Sequence, residues 1–249
     1  SGGVVFVFPG PGCQWPGMAA RLMEAVPVFA VRAQECADAL AAHLDWSVSD
    51  LLRGRPGAPP IDCDEIALPA VCDVMVALAE VWRSRGVHPG AVLGHAGGEV
   101  AAARVAGALS LPDAAMIIAA RSRADVERRR EELLEALAGS TPRPAEIPVY
   151  SAVAGGRIDT SQSDYPYWYG DPEQPVCIED TVRVIIGDGH DIFIEISPHF
   201  ILGGAIEQVA AGADVAVLGS LRRDDGGPDR PFRPGGAAQI GCQHLLVAP

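Results

Sequence analysis

The chain has 249 residues, 49% hydrophobic and 20% charged, a composition that suits a globular protein of one or two domains with a sizeable core. Its formal net charge of −13 argues against nucleic acid as a partner, because phosphate binding needs a basic face. The six cysteines (Cys13, Cys36, Cys63, Cys72, Cys177, Cys242) form no Cys-x-x-Cys pair, so they suggest neither a disulfide framework nor a structural zinc. That pattern favours a reducing cytoplasm. No apolar stretch approaches the roughly 20 residues that span a bilayer, and no basic-then-apolar leader opens the chain. Ser1-Gly2-Gly3 runs at once into an apolar segment, as in a piece of a longer polypeptide.

Val4 to Phe8 is a β-branched and aromatic run stopped by Pro9-Gly10-Pro11-Gly12, which predicts a buried strand feeding a tight loop and then a helix. Helical spacing appears over Pro27 to Leu44 and again over Leu68 to Arg85, with a Pro-rich loop from Arg53 to Pro60 between them. Ala91 to Gly94 predicts a strand, and an Ala-rich helix from Gly97 to Gly107 leaves it after a sharp turn. Further helices are expected over Pro112 to Arg123 and Val126 to Ala138, the latter capped by Asp125 and stopped by Gly139. Strands return at Pro148 to Ala152 and Ile192 to Ile196. This alternation implies an α/β fold with a mostly parallel central sheet. From Arg222 onward the sequence is Gly, Pro and charge, which predicts an extended linker or disorder.

The turn Gly94-His95-Ala96-Gly97-Gly98-Glu99 has the pattern of a nucleophile elbow, in which G-x-S-x-G sets a serine between a strand and a helix N-terminus. The serine position holds Ala96, which has no lone pair to attack and no proton to give up. On pattern alone, a Gly-rich turn without its serine is simply a tight turn.

Four stretches, in order, resemble the acyltransferase domain of modular type I polyketide synthases, a malonyl-CoA:ACP transacylase-like family. They are Val4 to Met18, the elbow, Arg121-Ser122-Arg123, and Asp188-Gly189-His190-Asp191 through His199. The resemblance covers most of residues 4 to 224 and implies an α/β-hydrolase-like large subdomain carrying an inserted ferredoxin-like small subdomain. It also implies transfer of a malonyl-type unit from coenzyme A to a carrier protein, with no cofactor and no metal.

Set against that family, the departures fall on the chemistry. Ala96 stands at the nucleophile. Pro11 stands where a glutamine lends its backbone N–H to the oxyanion hole, so only the N–H of Gly97 is left for that task. Leu68 replaces a pocket glutamine and Asp171 an asparagine. Arg121 matches the arginine that pairs with the extender's carboxylate, a role suited to a bidentate fork. The Arg-Ser-Arg helix joins directly to Val126-Glu127-Arg128, so the small subdomain and its catalytic histidine are expected to be missing together near 124 to 126. The domain expectation is therefore a large subdomain over 4 to 223 and a Pro/Gly-rich tail over 224 to 249.

Among the remaining residues, Cys13 is an alternative nucleophile with His95 as its base, although packing is the stronger reading. His95 otherwise reads as a satisfied structural histidine, and His199 as part of a structural turn. Arg121 divides between a salt bridge and residual anion binding. The leading expectation is a catalytically inactive, pseudo-acyltransferase domain with a scaffolding role. Its partners would be the ketosynthase and linker of the same synthase, with an acyl carrier protein or a trans-acting acyltransferase as further ones. The alternatives are a repurposed thioester-acting enzyme (acyltransferase, hydrolase or decarboxylase) and a binding module that recruits a carrier protein or trans-acting acyltransferase.

Overall fold

The computed structural model describes residues 3–122, 143–163, 167–168 and 177–221. The predicted helix over Val126 to Ala138 and the tail from Arg222 lie outside the described residues. A six-stranded sheet organises the rest, with strands in the order β4-β3-β2-β1-β5-β6. The strands are β1 (Gly3–Phe8), β2 (Ala91–Gly94), β3 (Val149–Ser151), β4 (Gly156–Ile158), β5 (His190–Glu195) and β6 (Ala216–Gly219). Among the described strands only β4 runs antiparallel to its neighbour; every other pairing is parallel, as the alternation of elements implied.

The central strand shows why. Val5 to Phe8 are all fully buried, a continuous apolar run of the kind that fits a strand covered on both faces. Phe6 and Phe8 face one core together with Val92, Val149 and Ile194. Helices α2 (Pro27–Ala41), α4 (Asp64–Ser84), α5 (Gly98–Val105) and α6 (Leu111–Arg121) cover that face. Val5 and Val7 face the opposite core with Leu93, Tyr150 and Phe193, beneath α7 (Ile178–Gly187) and α8 (Gly203–Val209). Two short helices, α1 (Ala20–Ala25) and α3 (Val48–Leu52), complete the described elements.

Some boundaries differ from expectation for identifiable reasons. α4 begins at Asp64, four residues before Leu68, because Pro69 falls within the helix rather than at its start. Its missing N–H removes one hydrogen bond to the first turn, which the burial of nearly all later residues of the helix outweighs. α6 begins at Leu111 behind Ser110, whose Oγ accepts from the Asp113 N–H. β4, β6 and α8 are short elements that local sequence pattern does not separate from loop, whereas α7 carries Ile178, Val182 and Ile185 at i, i+4 and i+7, a helical signal that no expected element covers.

A buried polar chain ties the carboxyl ends of the strands together. The Glu195 carboxylate, at the end of β5, accepts from Ser197 Oγ and from the backbone N–H groups of Ile201, Leu202 and Gly203 at 2.8–3.1 Å. It thereby caps the start of α8. Burial pushes this carboxyl group up while the four donors pull it down. Ser220 Oγ donates to the Glu195 carbonyl at 2.7 Å and accepts from Trp82 Nε1 of α4 at 2.9 Å.

Where β2 leads into α5, two backbones touch. A Cβ on Gly98 would sit 2.1 Å from the Phe8 carbonyl oxygen and 2.4 Å from that of Pro9; one on Gly94 would sit 2.6 Å from Glu99 Cα. No side chain can shift to relieve a clash with backbone. Gly98→Ala is therefore expected to destabilise the fold by about 4 kcal/mol, among the larger single-site effects, as read by urea unfolding.

Candidate functional site

The site forms at the carboxyl ends of β1, β2 and β5, the end at which parallel α/β sheets bind ligands. β2 stops at Gly94, and His95-Ala96-Gly97 turns the chain into α5. His95 N–H donates to the Phe8 carbonyl at 3.0 Å and so holds the turn against β1. Ala96 has φ of 51°, the only positive value among the described non-glycine residues. A left-handed residue costs about 1–2 kcal/mol, so the backbone keeps the strain of an elbow while presenting only a methyl group. A Cβ on Gly10 would lie 3.1 Å from that methyl, so Ala96 points at the loop that follows β1.

Pro11 and Leu68 close over the next residue. A Cβ on Gly97 would come 2.6 Å from Leu68 Cδ1 and 3.1 Å from Pro11 Cδ. Three of the positions singled out in the sequence therefore meet in space. The result is an apolar lid on the peptide that should offer its N–H to a developing oxyanion, and Pro11 has no N–H to add. Cys72 Sγ donates to the Gly97 carbonyl at 3.8 Å from the helix side.

Cys13 is fully buried and its Sγ donates to the Gly10 carbonyl at 3.6 Å. Burial first, and then the negative charge of Glu195, push its thiol up to about 12. A thiol nucleophile needs the opposite shift, because only the thiolate attacks.

His95 differs from the satisfied structural histidine expected of it: its Nδ1 is buried with no hydrogen-bond partner among the described residues. Burial lowers its pKa, and a hydrogen bond with its own backbone raises it.

Glu99, on the first turn of α5, is a polar centre to which the sequence pattern assigns no role. It is 6% exposed and accepts a short hydrogen bond from Ser151 Oγ at the end of β3. Burial raises its pKa, while Ser151, the charge of Arg121 and the Val153 N–H lower it. Its place in the elbow pattern is the available signal; Ser151 and Arg121, far from it in sequence, give none. Arg121, at the end of α6, donates from Nη1 to the Trp168 carbonyl at 3.0 Å. Its guanidinium is thus engaged inside the domain, toward Trp168 and the field of Glu99.

The other expected residues lie apart from the elbow or outside the described residues. His190 opens β5 at the opposite end of the sheet, edge-on to Tyr150 at 6.3 Å between ring centroids. The His199 carbonyl accepts from Ser197 Oγ in the loop after β5. Asp171 lies outside the described residues. Among the described residues, no group of three or more His, Cys, Asp or Glu is placed to hold a metal ion.

A mostly parallel α/β sheet with an elbow at its carboxyl end defines the architecture of the hydrolase-like acyltransferases. Comparison with known proteins agrees: the chain matches the acyl transferase domain family over residues 5–128 and 124–244. It is 39% identical over 91% of its length to the spectinabilin polyketide synthase system protein NorA of Streptomyces orinoci. It is 38% identical over 92% of its length to polyketide synthase GfsA of Streptomyces halstedii. The acyltransferase domain from module 8 of the salinomycin polyketide synthase superposes with a TM-score of 0.80 at 37% identity, over 91% of this chain and 72% of that one. A loading acyltransferase from the avermectin modular polyketide synthase also gives 0.80, at 32% identity over 89% of this chain and 95% of the other. The chain belongs to the acyltransferase-domain family of modular type I polyketide synthases. It spans 16% of NorA and 4% of GfsA.

Two measurements probe this site. Ala96→Gly relieves the left-handed strain and is expected to raise stability by about 0.5–1 kcal/mol in urea unfolding, despite the added freedom of the unfolded chain. With iodoacetamide and mass spectrometry at neutral pH, the exposed Cys63 should alkylate in the native protein, and the buried Cys13 and Cys72 only after unfolding.

Proposed function

We propose that this chain is the large subdomain of an acyltransferase that no longer transfers acyl groups and serves as a structural element of a multidomain polyketide synthase. The observation that carries this reading is the elbow itself. Its strained backbone is intact, yet Ala96 fills the nucleophile position and Pro11 and Leu68 pack over Gly97. Acyl transfer by a serine needs a nucleophile, a base within reach and an oxyanion hole, each worth orders of magnitude in rate.

The expected junction near 124–126 supports loss of the small subdomain. The family match comes in two blocks, 5–128 and 124–244, which meet at that point. The alignment with NorA runs over 307 positions, more than this chain contains, so the relative carries residues that have no counterpart here. The domain division is then a large subdomain over 4–223 and a tail over 224–249, with the family match continuing to residue 244. The ketosynthase and linker of the same synthase are the proposed partners, with an acyl carrier protein loaded by a trans-acting acyltransferase. A reducing cytoplasmic setting agrees with the free state of Cys13, Cys36, Cys63, Cys72 and Cys177. The cysteine-based alternative lacks support, since the Cys13 thiol stays protonated.

Incubation with malonyl- and methylmalonyl-coenzyme A, followed by intact-protein mass spectrometry, tests the proposal. Neither the native chain nor Ala96→Ser is expected to acquire an acyl adduct, because the histidine base of the small subdomain is missing and only the Gly97 N–H remains of the oxyanion hole. An adduct on Ala96→Ser would mean that the remaining groups still support acylation and would refute inactivity by more than one lesion.

A further inference from the structure

The loop after β1, the end of α3 and the Pro-rich stretch ahead of α4 surround an open cavity of about 230 Å³. Trp15, Met18, Leu52, Pro59, Pro60 and Ile61 form its apolar walls, and none of the residues lining it belongs to the elbow. Trp15 is fixed in place, because its Nε1 donates to the Pro198 carbonyl at 3.0 Å. Two charged residues stand at the rim, Arg55 and Asp62. Arg55 is bridged to Asp50 at 3.4 Å, while the exposed Asp64 and Glu65 follow Asp62 into α4, so this edge is acidic on balance.

Size and chemistry both constrain the occupant. Sites for drug-sized molecules span roughly 300–1,000 Å³ and carry several convergent polar groups. This cavity is smaller and its walls are apolar, which suits a single aromatic side chain. A groove built from an aromatic ring and prolines is the kind of surface that takes a proline-rich segment in the polyproline II conformation. Carboxylates at its edge would favour an arginine beside the prolines.

The chain itself carries such a segment. Pro228-Asp229-Arg230-Pro231 and Pro231-Phe232-Arg233-Pro234 are overlapping P-x-x-P motifs. They hold the single Phe, Tyr or Trp found after Leu221, and two arginines, in a chain of net charge −13. The positions also match. Ser220 N–H donates to the Glu195 carbonyl at 3.0 Å, and Pro198, which Trp15 grips, lies three residues beyond Glu195, at most about 11 Å away. The seven residues from Leu221 to Pro228 can span up to about 23 Å, which covers that separation with slack. A tether this short gives an effective concentration on the order of millimolar, so even a weak contact stays closed.

We propose that Pro228 to Pro234 docks in this cavity within the same molecule, with Phe232 filling the apolar interior and Arg233 against Asp62. The contact ties the segment that leaves β6 to the loop that follows β1, and so sets the direction in which the chain departs from the sheet.

Cys63, exposed next to Asp62, gives a direct readout in the full chain. In a Gly235→Cys/Cys242→Ala variant, mild oxidation should join position 235 to Cys63 within one molecule, as read by mass spectrometry of non-reduced peptides. Adding Phe232→Ala should lower the yield of that crosslink about tenfold. Asp62→Lys, which reverses the rim charge, and Ala58→Phe, which fills the cavity, should each lower it severalfold. Phe232→Ala changes no residue of the described fold, so its result does not depend on whether the other two variants fold. Absence of the crosslink, or a yield that Phe232→Ala leaves unchanged, overturns the proposal. A crosslink formed only between two molecules overturns it equally, since the cavity would then hold the tail of a second copy.

Discussion

The carboxyl end of the sheet is shaped by one constraint: α5 begins so close to β1 and β2 that nothing larger than hydrogen fits at Gly94 or Gly98. From that contact the rest of the site follows. The chain must reverse within three residues, which forces Ala96 into the left-handed region and aims its side chain at the loop after β1. The same contact brings Gly97 under Pro11 and Leu68 and sets Glu99 against the end of β3. Strand, turn and helix are therefore one rigid unit, and the identity of residue 96 does not decide its geometry.

Much of this was legible because the strongest signals are local. A five-residue apolar run ended by Pro-Gly reads as a central strand, and Gly-x-Ala-Gly-Gly-Glu after a second apolar run reads as a tight strand-to-helix turn. The family resemblance then turned three distant positions, Pro11, Leu68 and Ala96, into one expected site, and they do lie together. What stayed hidden depends on tertiary contact. β4 and β6 have three and four residues, too few for a periodic pattern, and they exist only because β3 and β5 offer them an edge. α4 starts at Asp64, four residues before the expected Leu68, and carries Pro69 inside it because burial outweighs one lost hydrogen bond.

The polar interior was the least readable part. Ser151, Glu99 and Arg121 stand far apart in sequence, and nothing in their spacing announces that they share a neighbourhood. The same holds for Asp73, which looks like an ordinary surface charge of an amphipathic helix until the packing of its neighbours encloses it. Cys13 shows the opposite error that sequence invites: a cysteine beside a catalytic loop suggests reactivity, whereas burial keeps its thiol protonated.

Glu195 carries a different consequence. Its carboxylate gathers the start of α8, its backbone carbonyl reaches α4 through Ser220 and Trp82, and neither belongs to the elbow turn. The contacts that hold α8 and α4 to β5 are thus made by atoms other than those of the turn. Such a division leaves the residues of the turn open to replacement one at a time without loosening the frame around them.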